Sequence, residues 1–112
     1  VNSVLFLVQR GTALILAFLV LAHLAVIVVA VHGGLTATEI LSRTRGSVGW
    51  GLFYGAFVLI VAVHGSIGLN SILSEWFRLG HRAAAVVSWA AALILLALGL
   101  RAVWAVTVGG AA

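Results

Sequence analysis

Two histidines, His23 and His64, each lie deep inside a long apolar segment of the chain. A neutral imidazole offers one lone pair that can bind a metal and one N–H that can donate, and near neutral pH it can also take a proton. All three states are costly in hydrocarbon. An ionisable group within a membrane-length segment is therefore a functional candidate by default. Metal ligation is the first chemistry to weigh, because neutral imidazole is a common axial ligand of haem iron. The competing reading is a neutral ring that packs against another helix or relays protons.

His64 belongs to a pattern. His64, Gly68, Ser71 and Glu75 follow one another at four, three and four residues, which on an α-helix is one stripe. Gly68, one turn from His64, lacks a side chain and would let a flat macrocycle approach the backbone; close helix packing is the alternative use of such a glycine. Glu75 then falls roughly 16 Å along the axis from His64, with Trp76 beside it. His23 follows Arg10 by thirteen residues, roughly 20 Å along a helix and about 140° around it. It therefore shares no stripe with Arg10 and sits somewhat deeper than His64 when both are measured from the same surface.

The elements that carry these residues are membrane-length. Of 112 residues, 64% are hydrophobic and 7% charged, more apolar surface than a soluble domain of this size could hide. Three segments reach the roughly 20 apolar residues that a bilayer requires: about 11–31, 49–73 and 83–108. They predict an all-α membrane protein, a single domain of three spans running up, down and up. The first segment is too long for a signal peptide and lacks an evident small-residue cleavage site. Gly33-Gly34 marks its end. The polar connection that follows contains Thr36-Ala-Thr-Glu39, the spacing of a capping box, and predicts a short surface helix through about Arg43. Gly51 and Gly55 open the second span at the spacing of a helix-packing motif. The short link 77–82 makes the second and third spans antiparallel neighbours.

The formal charge of +4 comes from six arginines against Glu39 and Glu75, with no lysine. The arginines stand mainly at span ends, where they snorkel to headgroups; this is not the pattern of a nucleic-acid surface. Arg10, Arg78 and Arg82 mark one side, and Arg43 and Arg45 the other with Arg101 near it, too even a division to orient the chain. Trp50 and Trp104 share one interface and Trp76 and Trp89 lie toward the other, which fits two aromatic belts. Absence of cysteine excludes disulfides, thiolate-held iron–sulfur clusters and c-type haem attachment within this chain.

The run from His64 through Gly68 to Glu75-Trp76 resembles the second helix of the membrane-anchor, cytochrome b subunits of the succinate dehydrogenase and fumarate reductase family. Those anchors carry a haem-ligating His, a Gly four residues on, an acidic residue eleven on, and often an adjacent aromatic. Gln9-Arg10-Gly11-Thr12 is similar to their first-helix entry, and the likeness covers nearly the whole chain in span order. The resemblance implies a haem b with His64 as axial ligand and Gly68 and Ser71 packing against it. It implies a quinone near Arg10, Thr12 and Trp76, with Arg10 near the quinone head group or a haem propionate. Glu75 and Arg78 would face an iron–sulfur subunit, which a flavoprotein subunit accompanies.

Some relatives hold two haems, and His23 would suit the second; a second anchor chain or a second copy would complete the ligand sets. His81 would help deliver protons to quinone, and Arg101 would snorkel or pair with a propionate. His32, at the end of the first span, is more simply solvated. Three positions depart from the family pattern: Phe6 replaces a serine, Asn70 a basic residue, and Trp76 an aromatic that is often Tyr. Trp76 donates through its indole but supplies no phenol.

The function expected is an electron-transfer anchor in a bacterial inner membrane, with no residues for dicarboxylate chemistry itself. A cofactor-free structural anchor and a small multi-helix transporter are the alternatives. Proton-coupled exporters of this size normally need a carboxylate inside the membrane, and neither Glu39 nor Glu75 lies within a span.

Overall fold

The computed structural model describes residues 3–109. They form α1 (Ser3–Gly33), α2 (Ala37–Thr44), α3 (Val48–Glu75) and α4 (His81–Thr107), with no strand among the described residues. The three long helices are each long and apolar enough to cross a membrane, and the short α2 sits between the first two of them. The all-α, three-span fold with a surface helix in the first loop is thus the observed one. Helices α3 and α4 keep within two residues of the expected spans. Helix α1 starts eight residues earlier, because Val4–Val8 continue the apolar helix and Gln9 and Arg10 are good helix formers. Its 31 residues measure roughly 46 Å against a hydrocarbon thickness of about 30 Å.

The helix ends have identifiable causes. Helix α1 stops at Gly34, whose φ of +114° favours glycine and whose N–H donates to the Ala30 carbonyl at 2.8 Å. A Cβ there would also strike the Glu39 carboxylate. The expected capping box is present: the Thr36 hydroxyl accepts from the Glu39 N–H at 3.2 Å, and the Glu39 carboxylate accepts from the Thr36 N–H at 3.0 Å. The Ser47 hydroxyl caps α3 by accepting from the Trp50 N–H. The link to α4 turns at Arg78, at φ +53°, and the Leu79 N–H donates back to the Leu73 carbonyl at 2.9 Å.

Helix α3 packs against both α1 and α4, and α2 lies against α4. Among the described apolar residues only Ala62 and Ala84 are buried, while leucines, valines and phenylalanines cover the outside. Lipid tails are as apolar as leucine, so burying large side chains gains little and close approach of small ones holds helices together. The α3–α4 seam follows that rule. Ala62, Ala84, Ser88 and Thr107 are buried, a Cβ at Gly51 would just touch the Thr107 methyl, and Gly99 has no room for a side chain beneath Val58. The Gly46 N–H donates to the Thr107 carbonyl at 2.8 Å and ties the first loop to the end of α4.

Helix α1 is held more lightly and has no buried residue. Its half-buried positions are Gln9, Thr12, Leu16, Leu19, His23, Val26 and Ala30, and every other residue described along it is exposed. Alternating steps of three and four residues make a 3.5-residue period, the seam of a left-handed helix crossing. Its polar members, Gln9, Thr12 and His23, all lie on that seam.

Candidate functional site: two histidines at two depths

In the half of the bundle nearer the α3–α4 link, the Thr12 hydroxyl lies 3.0 Å from His64 Nδ1. The hydroxyl oxygen is also 2.7 Å from the Val8 carbonyl and 3.1 Å from that of Gln9. A hydroxyl has one hydrogen. Given to Val8, the shortest of these contacts, it leaves the oxygen to accept from His64 Nδ1–H. The hydrogen-bond network thus assigns the proton of the neutral ring to Nδ1 and the lone pair to Nε2. No hydrogen bond among the described residues uses His64 Nε2. This is the arrangement of a metal-ligating histidine, whose second N–H is normally held by an oxygen that fixes tautomer and ring orientation.

One turn on, the space over Gly68 is taken by Gln9, whose Nε2 would lie 3.2 Å from an added Cβ. Gly68 therefore serves the close packing of α1 on α3. The Oε1 of Gln9 and the Oδ1 of Asn70 are buried without a hydrogen-bond partner. The stripe does not stay inside the bundle: His64 and Gly68 are half-buried, whereas Ser71 and Glu75 are exposed.

His23 has different surroundings. Its ring meets Tyr54 and Phe57 edge to face, at centroid distances of 5.9 and 5.5 Å. Its Nδ1 is sealed from solvent and has no hydrogen-bond partner. The ring lines a cavity of about 610 Å³, whose walls include Ile40 and Thr44 of α2, Tyr54 and Phe57 of α3, and Ala102 of α4. Trp50 stacks on Tyr54 at 5.6 Å with 20° between the planes, which makes it a half-buried part of an aromatic cluster as well as a residue near the interface.

The histidines are at different levels. Thr12, level with His64, and His23 are eleven residues apart on α1, roughly 16 Å along the axis. Two imidazoles that far apart do not meet one iron. Of the remaining candidates, the Arg10 guanidinium lies off the seam, 5.4 Å over the Phe6 ring. Trp76, Glu75, Arg78, His81 and Arg101 are exposed. Exposed His32 directs Nδ1 to the Val28 carbonyl at 2.9 Å. No hydrogen bond or ring contact among the described residues joins Arg10, Thr12 and Trp76 to one another. No group of three or more His, Cys, Asp or Glu gathers among the described residues, so a metal held here would take its other ligands from a macrocycle or a partner.

Sequence reasoning overlooked Gln9, Tyr54 and Phe57 as neighbours of the histidines. The signal was present: Tyr54, Phe57, Val61, His64 and Gly68 extend the His64 stripe backward, and Gln9, Thr12, Leu16, Leu19 and His23 form its counterpart.

Fold and site define a class: an all-α protein with three membrane-length helices and a polar, histidine-bearing seam between the first and second of them. No family model, curated protein or solved structure matches the chain.

Proposed function

We propose that this chain is a haem b-holding membrane-anchor subunit of a succinate:quinone oxidoreductase of the succinate dehydrogenase and fumarate reductase type. It would lie in a bacterial inner membrane, attached to iron–sulfur and flavoprotein subunits. The observation that carries the reading is the hydrogen bond between Thr12 and His64, which leaves Nε2 as the free lone pair of a half-buried ring. His64 would hold a haem at that point with Thr12 orienting the ring, and Gln9, which fills the space over Gly68, would have to swing aside to admit it. Haem iron supplies one-electron storage between the iron–sulfur subunit and membrane quinone. A further protein ligand would have to come from a second anchor chain or a second copy, because His23 lies too far along α1 to share one metal with His64. His23 is the weaker ligand candidate, since its Nδ1 has no oxygen to hold it. Exposed Arg10 and Trp76 are left to meet quinone and partner subunits at the end of the bundle that carries Glu75 and Arg78.

Oxidised and reduced optical spectra of the purified complex test this. A low-spin b-type spectrum lost in His64→Ala and kept in His23→Ala is expected. An unchanged spectrum in His64→Ala sinks the ligation, and no haem in the native complex leaves a cofactor-free anchor.

A further inference from the structure

The cavity beside His23 is not used by this reading. It occupies about 610 Å³, within the range of small-molecule sites. It is walled by aliphatic and aromatic side chains of α3 and α4 and reaches the interfacial helix α2, and no arginine or carboxylate lines it. An ionic headgroup or a charged metabolite would find no counter-charge there. An uncharged, largely apolar occupant would lose nothing by entering from lipid.

Three polar residues line the cavity: His23, Thr44 and Tyr54. The Thr44 hydroxyl already donates to the Ile40 carbonyl at 3.2 Å. The Tyr54 hydroxyl forms no hydrogen bond with the described residues. For His23 the sealed nitrogen is Nδ1, and Nε2 is not among the sealed, unpartnered atoms. An orphaned N–H is the costlier of the two ways to leave a buried polar group unpaired. The lone pair therefore belongs on Nδ1 and the proton on Nε2, the nitrogen with room for a partner. This is the opposite tautomer from His64. His23 and Tyr54 thus give the lining of the cavity two unspent donors, Nε2–H and O–H, against the Thr44 oxygen, which can still accept after giving its hydrogen to Ile40, and His23 Nδ1, which is sealed away.

We propose that this cavity binds an uncharged, lipid-soluble molecule bearing a carbonyl oxygen, which accepts hydrogen bonds from His23 Nε2–H and Tyr54 O–H. That chemistry has two sources in a membrane, a quinone ring and the ester of a glycerolipid. The site lies deeper along α1 than His64 and does not depend on haem being held there.

The test uses the full chain purified in a maltoside detergent, which carries no carbonyl. A decyl-tailed benzoquinone is titrated while tryptophan fluorescence is followed, since Trp50 stacks on Tyr54. Glycerolipid retained per chain is measured in parallel by extraction and mass spectrometry. Loss of one neutral hydrogen bond weakens binding by about two- to tenfold, so His23→Phe and Tyr54→Phe should each do so. Ala102→Phe fills the cavity and should abolish binding, with helix content by circular dichroism confirming that each variant folds.

Saturable quenching with those sensitivities identifies the quinone source. Glycerolipid held at about one per chain and lost in Ala102→Phe identifies the ester source. Binding of neither, binding that ignores all three variants, or a haem absorption removed by His23→Phe but kept in His64→Ala overturns the proposal.

Discussion

His64 and His23 are the same residue type in equally apolar helices, yet their neighbours prepare them for opposite chemistry. Thr12 holds Nδ1 of His64 and frees the Nε2 lone pair. Tyr54 and Phe57 close around His23, and its Nδ1 is sealed without a partner. On the reading proposed above, one ring donates an electron pair and the other a hydrogen bond. Inside a membrane a single hydroxyl one helix away can favour one tautomer of an imidazole, because the bilayer offers the two nitrogens few other hydrogen-bond partners.

The largest effect expected from breaking this contrast is complete. His64→Ala should remove the b-type absorption of the purified complex, while His23→Ala retains it, both read from reduced-minus-oxidised spectra.

A smaller, more diagnostic change is Thr12→Val, which keeps shape and removes the oxygen. Losing the oxygen that holds a ligating histidine costs about 10- to 100-fold in affinity for the metal group. Haem titrations should show that loss, with Thr12→Ser restoring most of it. Equal haem affinity in Thr12→Val would mean that the hydroxyl does not prepare His64.

At the other ring, Gly99 lines the cavity and packs under Val58. Gly99→Leu should overpack the α3–α4 seam at a cost of about 1–3 kcal/mol, measured by reversible unfolding in mixed micelles, and should leave the His64 spectrum in place. A spectrum lost along with stability would show that the two ends are not separable.

The smallest effect concerns α2, which contributes Ile40 and Thr44 to the cavity. The Thr36 backbone N–H, then the Thr36 hydroxyl, and less strongly Arg43 hold the Glu39 carboxyl below its ordinary value of 4.5. A lowered carboxylate supports the fold above its unfolded pKa and loses that support as pH falls through the folded one. Hydrogen exchange of the α2 amides should therefore quicken, after correction for the intrinsic rate, as pH drops below about 4.5, and amides around Thr12 should not respond. In Glu39→Gln the pH step should vanish.

Much of this architecture is written in residue types. Three apolar runs of bilayer length, Gly33-Gly34 as a stop and Thr36 to Glu39 as a capping box are local signals, and each appears as read. The beginning of α1 was not legible, because hydropathy marks where hydrocarbon could begin and a helix can continue through Gln9 and Arg10. The site was legible in part. His64 and Gly68 of the stripe face α1 while Ser71 and Glu75 are exposed, and a stripe on one helix does not name what faces it. Gly68 illustrates the gap: a missing side chain reads equally as room for a macrocycle or for a neighbouring helix, and here Gln9 occupies the room.

The sequence alone determined that the chain is helical, that it has three membrane-length spans, and that His23 and His64 are costly enough there to need a reason. Period and hydrophobicity are properties of each segment by itself. Only the tertiary structure decided which partner each histidine meets. That depends on the register of α1 against α3, which pairs Thr12 with His64 and places His23 between Tyr54 and Phe57. A shift of α1 by one turn along the same seam would keep both helices and every apolar face, and would give both histidines different neighbours. Register is set by the fit of small and polar side chains across the seam, a pairwise property that no single segment contains.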